Sequence, residues 1–253
     1  MDAPSLRPLS TGEVLDVGFS LYRRHFVTLA LVALVSQAVA LVFSIYVQAT
    51  GGTLVNLGLT LVSLLLSSVC AAIGMGASTK IIADSYLGRT TTVQGALAWV
   101  IPHVGKIITL TVVMGLLLGV GFVLLVVPGA ILAAGFAVAP SALVVEGLSA
   151  TGAMDRSWQL TRGHRWKAFW TMVVALVLIY VVTLAAGLLG GLLATVLGVD
   201  ALVALVVVGA ITALLSLFVY PYIYAAITVL YYDLRVRKEG FDLEMLESQL
   251  EAK

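Results

Sequence analysis

The stretch KAFWTMVVALVLIYVVTLAAGLLGGLLATVL, residues 167–197, carries a single charge, on its first residue. A helix needs about 20 consecutive, mostly apolar residues to cross the hydrocarbon core of a bilayer, and this stretch is longer than that. Five further apolar stretches have the same character: 26–48, 54–82, 105–127, 129–147 and 201–232. The sequence therefore predicts an all-α integral membrane protein with six transmembrane helices.

The composition of the chain agrees with this class. Of its 253 residues, 61% are hydrophobic and 11% are charged, whereas an average soluble domain has about 25% charged residues. Cys70 is the only cysteine, so the chain can form neither an internal disulfide nor a cysteine metal cluster. We expect residues 1–253 to form a single membrane domain without a cleaved secretory signal, because the first 25 residues hold several acids.

The positive charges indicate how the predicted helices are oriented. All fourteen Lys and Arg residues lie in or beside the N-terminal segment, the second and fourth connections, and the tail. The other three turns, at 49–53, 126–130 and 197–200, contain no Lys or Arg. Because segments rich in these residues stay in the cytoplasm, we expect both termini to be cytoplasmic.

Two segments next to the basic connections have the spacing of amphipathic helices. In 152–164, one helix face collects Ala153, Met154, Ser157, Trp158, Leu160 and Thr161. This pattern predicts an interfacial helix that lies in the headgroup layer. Near the N-terminus, Ser10 and Glu13 have the spacing of a capping box, which satisfies free amides where a helix begins.

The chain also carries a diverged internal pattern. Segments 15–25 and 154–164 align without gaps, and the connection at 93–103 joins them more weakly, so the three histidines share one repeat position. We predict three parallel units, each an interfacial helix followed by a two-span hairpin. The units are about 10–89, 90–148 and 149–238, and an acidic tail follows at 239–253.

Three stretches resemble, as wholes, a bacterial family of six-span proteins. They are LRPLSTGEVLDVGFSLYRRHF (6–26), VVPGAILAAGFAVAPSALVVEGLSATGAMDRSWQLTRGHRWKAF (126–169) and VLYYDLRVRKEGFDLEML (229–246). The family is the glycerophosphoryl diester phosphodiesterase membrane domain. The resemblance implies a multi-pass protein of the bacterial plasma (inner) membrane. Some relatives carry a fused phosphodiesterase barrel, for which this chain has no room, so we expect the enzymatic activity not to transfer.

Motifs of common catalytic sites are missing from the sequence, which has no HExxH, GxSxG or P-loop. The spans are nearly free of ionisable residues, whereas proton-coupled transporters usually bury such groups. We therefore expect no catalytic residues, no cofactor and no nucleic-acid partner. The candidate metal site is His25, His103 and His164, which could bind zinc if the three units brought them together. Alternatively, each histidine marks the end of a surface helix.

Charged residues of the cytoplasmic side supply two further sets of candidates. We expect contacts with anionic lipid headgroups, at about 1 kcal/mol per basic residue, from Arg23, Arg24, Arg156, Arg162, Arg165 and Lys167. We expect structural ion pairs from Asp16, Asp84, Glu146, Asp155 and Asp233. Interfacial arginines such as Arg23 and Arg162 are the expected partners of the three acids that end the second span of each unit.

Two classes of function stay open on the sequence alone. The first is a non-catalytic membrane module that scaffolds partner proteins or binds lipid at the cytoplasmic face. The alternative is a small-solute or lipid transporter or channel with a cavity near Pro221, because proline inside a helix kinks it or leaves a carbonyl free, as Pro140 should also do.

In the tail, Gly240 is expected to end the last helix, and 241–253 either docks on the basic helices or a partner protein, or is frayed.

Overall fold

The computed structural model of the protein describes residues 7–49, 54–198 and 201–241, and the regular structure in these ranges is entirely helical. A 3-10 turn at Ile101–His103 separates the fourth α-helix from the fifth. In chain order, the α-helices of the described ranges are α1 (Thr11–Arg24), α2 (Phe26–Ala49), α3 (Leu54–Tyr86), α4 (Val93–Val100), α5 (Val104–Leu124), α6 (Val126–Phe136), α7 (Ala139–Glu146), α8 (Ala150–Thr161), α9 (Arg165–Leu197) and α10 (Ala201–Glu239). Six segments are long and apolar enough to cross a membrane, which confirms the predicted fold class.

Three short helices that each precede a hairpin, α1, α4 and α8, begin at a hydroxyl residue that caps them. The side chains of Ser10, Thr92 and Ser149 each accept a hydrogen bond from the amide of the third residue beyond, at 3.1–3.2 Å. At α1 the amide of Ser10 also donates to Glu13 Oε2 at 2.6 Å. Both halves of the predicted capping box are therefore present.

The fourth span is broken in its middle, between α6 and α7. Pro140 lies in the first turn of α7, where its missing N–H costs no helix hydrogen bond. The interruption expected at Pro140 is therefore confirmed. This span is also the most buried of the six candidate segments, since 56% of the residues in its most apolar stretch lie inside the protein.

The face of α8 that groups the predicted apolar residues packs against protein and not against the headgroup layer. Its buried residues are Ala150, Ala153, Met154, Ser157, Leu160 and Thr161, and α8 contacts α5, α6, α7 and α10. The Trp158 ring lies against Gly135, where an added Cβ would come within 2.3 Å of a ring carbon. The apolar face of α8 therefore lies on protein and not on lipid as predicted, while the interfacial position of the helix stays a prediction. Helical periodicity identifies an apolar face, but it does not distinguish lipid from protein as the neighbour of that face.

Contacts among the helices follow a cyclic order. Three hairpins are formed by α2 with α3, by α5 with α6, and by α9 with α10. The second span of each hairpin also packs against the first span of the next: α3 against α5, α6 against α9, and α10 against α2. The short helices follow the same order, with α4 on α3, α8 on α7 and α1 on α10. Three related units around an axis would give this order. The predicted repeat stays a prediction, and structural superposition of the three units would test it.

The last helix ends as the sequence predicts. Gly240 follows α10 with φ at +62°, a left-handed conformation that glycine adopts without steric cost. Beyond it Phe241 is buried, with its ring 5.8 Å from that of Tyr232 and 4.1 Å from the guanidinium of Arg235. The remainder of the predicted tail, 242–253, lies outside the described residues.

Candidate functional site

A cavity of about 390 Å³ lies between α2, α3 and α10, beside Pro221. Pockets that bind small molecules typically measure about 300–1,000 Å³. Its polar lining consists of Ser36, Gln37 and Ser44 from α2, Ser67 and Ser78 from α3, and Ser216, Tyr220 and Tyr224 from α10. The remaining lining residues are apolar or glycine, so the cavity offers both hydroxyl groups and hydrocarbon.

The cavity lies within the spans, and its α3 wall ends at Ser78, two residues before the charged Lys80. Its walls comprise residues 33–44 of α2 and 67–78 of α3, which at about 1.5 Å per residue makes each wall about 16 Å long. The closest charged residue along α3 is Lys80. Its ammonium donates at 2.8 Å to Asp84, which lies one helical turn further from the cavity than Lys80 does. The described lining residues include no charged side chain and no histidine.

Pro221 shapes the α10 wall of the cavity. Proline has no N–H, so the carbonyl of Leu217, four residues earlier, lacks its usual helix donor. Leu217 and Pro221 both line the cavity. Inside a bilayer, such a free carbonyl is tolerated where it faces protein or a cavity rather than lipid. A cavity beside Pro221, as the sequence predicts, is present.

Gly74 brings α3 close to α2 on the opposite wall. A Cβ at this position would lie 2.8 Å from Ser36 Oγ, closer than two such atoms approach. Ser36 Oγ donates to the carbonyl of Ala33 at 3.2 Å. Even the smallest side chain at position 74 would therefore displace the Ser36 hydroxyl and change the lining.

A second group of polar residues lies at the end of the bundle that carries the short helices, here called the polar end. Arg156 of α8 binds two acidic residues of this group. Its Nε donates to both carboxylate oxygens of Glu146, at 2.8 and 3.0 Å, and its Nη2 donates to Glu239 at 2.9 Å. The hydrogen bond to Glu239 raises the pKa of Arg156 above its ordinary value. Since Glu146 ends α7 and Glu239 ends α10, Arg156 ties three helices together.

Asp233 joins the N-terminal segment to two long helices. Its carboxylate is fully buried and accepts hydrogen bonds from the amide of Leu9 at 2.6 Å, from Arg237 Nε at 3.1 Å and from the ammonium of Lys167. Lys167 also donates to the carbonyl of Leu9 at 2.6 Å. The buried charge is thus satisfied by two cations and one amide.

Of the five acids predicted to form structural ion pairs, Asp84, Glu146 and Asp233 form them, although not with Arg23 or Arg162. Asp84 is bound by Lys80 and by the hydroxyl of Thr91, Glu146 by Arg156, and Asp233 by Lys167 and Arg237. The expected partners Arg23 and Arg162 are on the exposed surface. Asp16 and Asp155 are also exposed and take part in no ion pair seen among the described residues.

The six basic residues predicted to contact headgroups separate into two groups. Arg156 and Lys167 are engaged in the ion pairs above, and the Arg165 guanidinium lies 4.0 Å from the centre of the Trp158 ring. The exposed ones are Arg23, Arg24 and Arg162. Headgroup contact stays a prediction for all six, but the first group has roles inside the protein that the sequence did not reveal.

The three histidines have separate environments. Nε2 of His25 lies 2.6 Å from Ser85 Oγ, and burial lowers the pKa of this imidazole. His103 stacks on Trp99 and its Nδ1 lies 2.7 Å from the Trp99 carbonyl, while His164 precedes α9. No group of three His, Cys, Asp or Glu side chains in the described ranges could hold a metal ion. The hypothesis that the imidazoles converge is therefore not supported, and His25 and His164 lie where short helices end, as the alternative expects.

Sequence reasoning identified Pro221 but missed the cavity walls on α2 and α3. The sequence pattern that could have predicted these walls is weak. Ser36 and Ser44 are eight residues apart, which is close to two helical turns and places them on related faces. Isolated serines are common in membrane helices and usually mark close packing, so their spacing alone does not predict a cavity.

Comparison with known proteins places the chain in a family. The model for the membrane domain of glycerophosphoryl diester phosphodiesterase matches residues 99–251, more than half of the 253 residues. No curated protein and no solved structure matches. The match is to a membrane domain and not to a catalytic domain, and the described residues contain no strand from which a catalytic barrel could be built. The resemblance noted in the sequence is confirmed: the chain belongs to the family of the membrane domain of glycerophosphoryl diester phosphodiesterase.

Proposed function

We propose that this protein is a non-catalytic membrane module that binds a lipid in the cavity between α2, α3 and α10. We further propose that it resides in a bacterial plasma membrane with both termini in the cytoplasm, as the distribution of Lys and Arg indicates. The observation that carries the function is the cavity itself, because a mixed polar and apolar space of about 390 Å³ lies inside the spans.

The lining argues for binding rather than catalysis. General acid–base chemistry needs a titratable group near physiological pH, and nucleophilic chemistry needs a nucleophile with a base beside it. The described lining offers serine and tyrosine hydroxyls and the amide of Gln37, without a histidine, carboxylate, lysine or cysteine to activate them. The cavity is therefore suited to hold a molecule and not to transform it.

The position of the cavity argues for a lipid. It lies between spans whose outer surfaces expose large apolar side chains, as membrane-facing helices do. The hydrocarbon part of the lining, from residues such as Leu41, Met75 and Leu217, suits acyl chains, while the hydroxyls suit a polar end group. A small polar solute would leave the apolar part of the lining unused.

Photo-crosslinking of the purified protein in nanodiscs tests this function. The probe is a pool of diacylglycerol, phosphatidic acid, phosphatidylethanolamine and phosphatidylglycerol, each with a diazirine in one acyl chain. We expect saturable crosslinks within 33–44, 67–78 and 216–224, the segments of the cavity walls. Crosslinks spread evenly over the spans without saturation would overturn the proposal, as would uptake of labelled glycerol into proteoliposomes without lipid crosslinking.

A matched pair of variants on α3 locates the effect. Ala71 lines the cavity, and Ala71→Phe should occupy the space and lower crosslinking at least about fivefold, equivalent to about 1 kcal/mol of binding. Leu64 is 63% exposed on the same helix and is not a lining residue. Leu64→Phe should therefore leave crosslinking unchanged, and equal losses in both variants would assign the effect to general perturbation of α3.

A further inference from the structure

We infer that the lipid enters the cavity through an opening between α3 and α10, from the membrane leaflet that lies opposite the polar end. This inference rests on the proposed function and names the leaflet that supplies its ligand. In the proposed orientation, that leaflet faces away from the cytoplasm. Two observations support it: the burial of the spans changes along their length, and so does the exposure of the residues that line the cavity.

The second span of each hairpin is covered on all sides near the polar end. Residues 81–86 of α3, 141–144 of α7 and 228–234 of α10 are all buried. Successive residues of a helix point about 100° apart, so an unbroken run of buried residues of this length means that protein surrounds the whole helix. A lipid in the leaflet at this end therefore finds no gap between these helices.

Aromatic rings close the gap between α2 and α10 at the same end. The ring of Phe26, the first residue of α2, stacks on that of Phe218 in α10 with 5.8 Å between their centres. Tyr22 of α1 packs beside both helices, 5.5 Å from Phe26 and 6.0 Å from Tyr222. The route between α2 and α10 from the polar end is thus blocked by side chains of three helices.

Toward the opposite end the spans lose this covering. In α3, the exposed residues occupy more than half of the helix circumference: Leu57, Gly58, Thr60, Leu61, Val62, Leu64, Leu65, Ser68, Val69 and Ala71. Residues 126–128, where α6 begins, are exposed as well, and so are Val203 and Leu214 of α10. Residues 57–71 and 203–220 contain no charged side chain, so the surroundings that suit this half of the bundle are acyl chains and not water.

The lining of the cavity shows the same change from buried to exposed. The lining residues that lie nearest the polar end on α2 and α3 are buried, namely Ala33, Ser36 and Ser78. Two lining residues further from that end are exposed, Ala71 of α3 and Tyr220 of α10, the latter to 42%. The cavity is therefore closed toward the polar end and open where these two residues lie.

Ala71 and Tyr220 lie at the same depth in the bundle. Each precedes by 13 residues the acid of the polar end on its own helix, Asp84 on α3 and Asp233 on α10, which corresponds to about 20 Å along each helix. The ring of Tyr220 stacks on that of Tyr224, a lining residue one turn closer to the polar end, with 6.3 Å between the ring centres. Ala71 and Tyr220 thus flank one opening, from which the lining continues inward.

Proteoliposomes that hold the protein in both orientations test the leaflet. In a Cys70→Ala, Thr151→Cys variant, an impermeant maleimide joined to polyethylene glycol shifts on a gel the molecules whose polar end faces outward, since Thr151 is exposed on α8. Phosphatidylglycerol with a diazirine in one acyl chain is then added from outside and illuminated at once, because its charged head crosses hydrocarbon slowly. We expect crosslinks at the cavity walls to be at least about tenfold stronger in the unshifted molecules.

The two ways in which this experiment can fail are distinct. Crosslinks at the walls that are as strong in the shifted molecules, or stronger, would overturn the inference about the leaflet while the proposed function stands. Absence of crosslinks at the walls in both populations would count against the proposed function itself.

A pair of tyrosine variants tests the position of the opening. Tyr220→Ala removes the exposed ring from the opening, so it should raise the initial rate of crosslinking at least about twofold, in the unshifted molecules only. Tyr180→Ala is the control, because Tyr180 is 68% exposed on α9 and is not a lining residue. Thermal melting in nanodiscs should be similar in both variants. Equal crosslinking rates in the two variants would show that the lipid does not pass Tyr220.

Discussion

The hydroxyl of Ser157 in α8 donates a hydrogen bond to the carbonyl of Gly135 at 2.8 Å. The same oxygen accepts a hydrogen bond from the amide of Val138 at 3.2 Å, so one side chain joins both sides of the break between α6 and α7. All three residues are buried. The break in the fourth span is thus completed by a helix that follows it in the chain, and the buried face of α8 is part of the protein interior.

Replacing Ser157 tests this role of α8. Ser157→Ala leaves the buried amide of Val138 without its partner, while Gly135 keeps a hydrogen bond from Thr161 at 3.2 Å. A buried polar group without a partner costs about 1–3 kcal/mol, so we expect a lower melting temperature in detergent. Gln159→Ala changes an exposed side chain of the same helix and should have little effect. A melting temperature of Ser157→Ala equal to that of Gln159→Ala would show that α8 does not support the break.

Variants of Arg156, which lies in α8, and of Arg162, which follows it, should differ in how their stability depends on the lipid. Arg156→Gln removes the link between Glu146 and Glu239 inside the protein, so it should lower stability by about 1–3 kcal/mol in any lipid. Arg162 is exposed, and Arg162→Gln should lower stability only in anionic lipid, by about 1 kcal/mol. Melting in phosphatidylglycerol and phosphatidylcholine nanodiscs measures both. The same lipid dependence in the two variants would contradict this division of roles.

Asp233→Asn should be more damaging than either arginine variant. The neutral side chain leaves the ammonium of Lys167 and the guanidinium of Arg237 without their buried anion, and breaking a buried pair costs about 3–5 kcal/mol. We expect a large drop in melting temperature and faster proteolysis near Leu9, whose amide is bound to Asp233. Asp155→Asn, at an exposed position of α8, is the control. Similar melting of the two variants would argue against Asp233 as an anchor.

The capping box of α1 should produce a pH dependence at low pH. The amide of Ser10 and the neighbouring Arg7 lower the pKa of Glu13 from 4.5 to about 2. Because the folded state holds the carboxylate ionised, its contribution to stability is complete above pH 4.5 and is lost as the pH falls toward about 2. Glu13→Gln cannot ionise, so its stability should fall less steeply over this window. Identical pH profiles of melting for wild type and variant would rule out the contribution.

The orientation in the membrane can be measured by cysteine labelling. In a Cys70→Ala background, a membrane-impermeant maleimide added from outside should modify Thr50→Cys, because the predicted connection at 49–53 contains no Lys or Arg. It should not modify Thr151→Cys, an exposed position of α8, until the membrane is permeabilised. Labelling in the opposite pattern would reverse the proposed orientation.

The sequence by itself determined the features that depend on a residue and its close neighbours along the chain. Six apolar runs give six spans, because hydrocarbon excludes any segment whose backbone groups are not satisfied within a helix. The helix start at Ser10 and Glu13, the interruption at Pro140 and the helix end at Gly240 follow from side-chain and backbone chemistry within a few residues. Membership of the family likewise follows from the chain order of residues 99–251.

Only the tertiary structure decided which groups meet. Arg156 and Glu239 lie 83 residues apart in the chain, and the Leu9 amide and Asp233 lie 224 apart. The cavity needs α2, α3 and α10 to be neighbours, which follows from the cyclic packing of the hairpins. Hydropathy and helical periodicity describe one helix at a time. They cannot determine whether the apolar face of α8 covers lipid or the break at Gly135, because both neighbours remove it from water equally well.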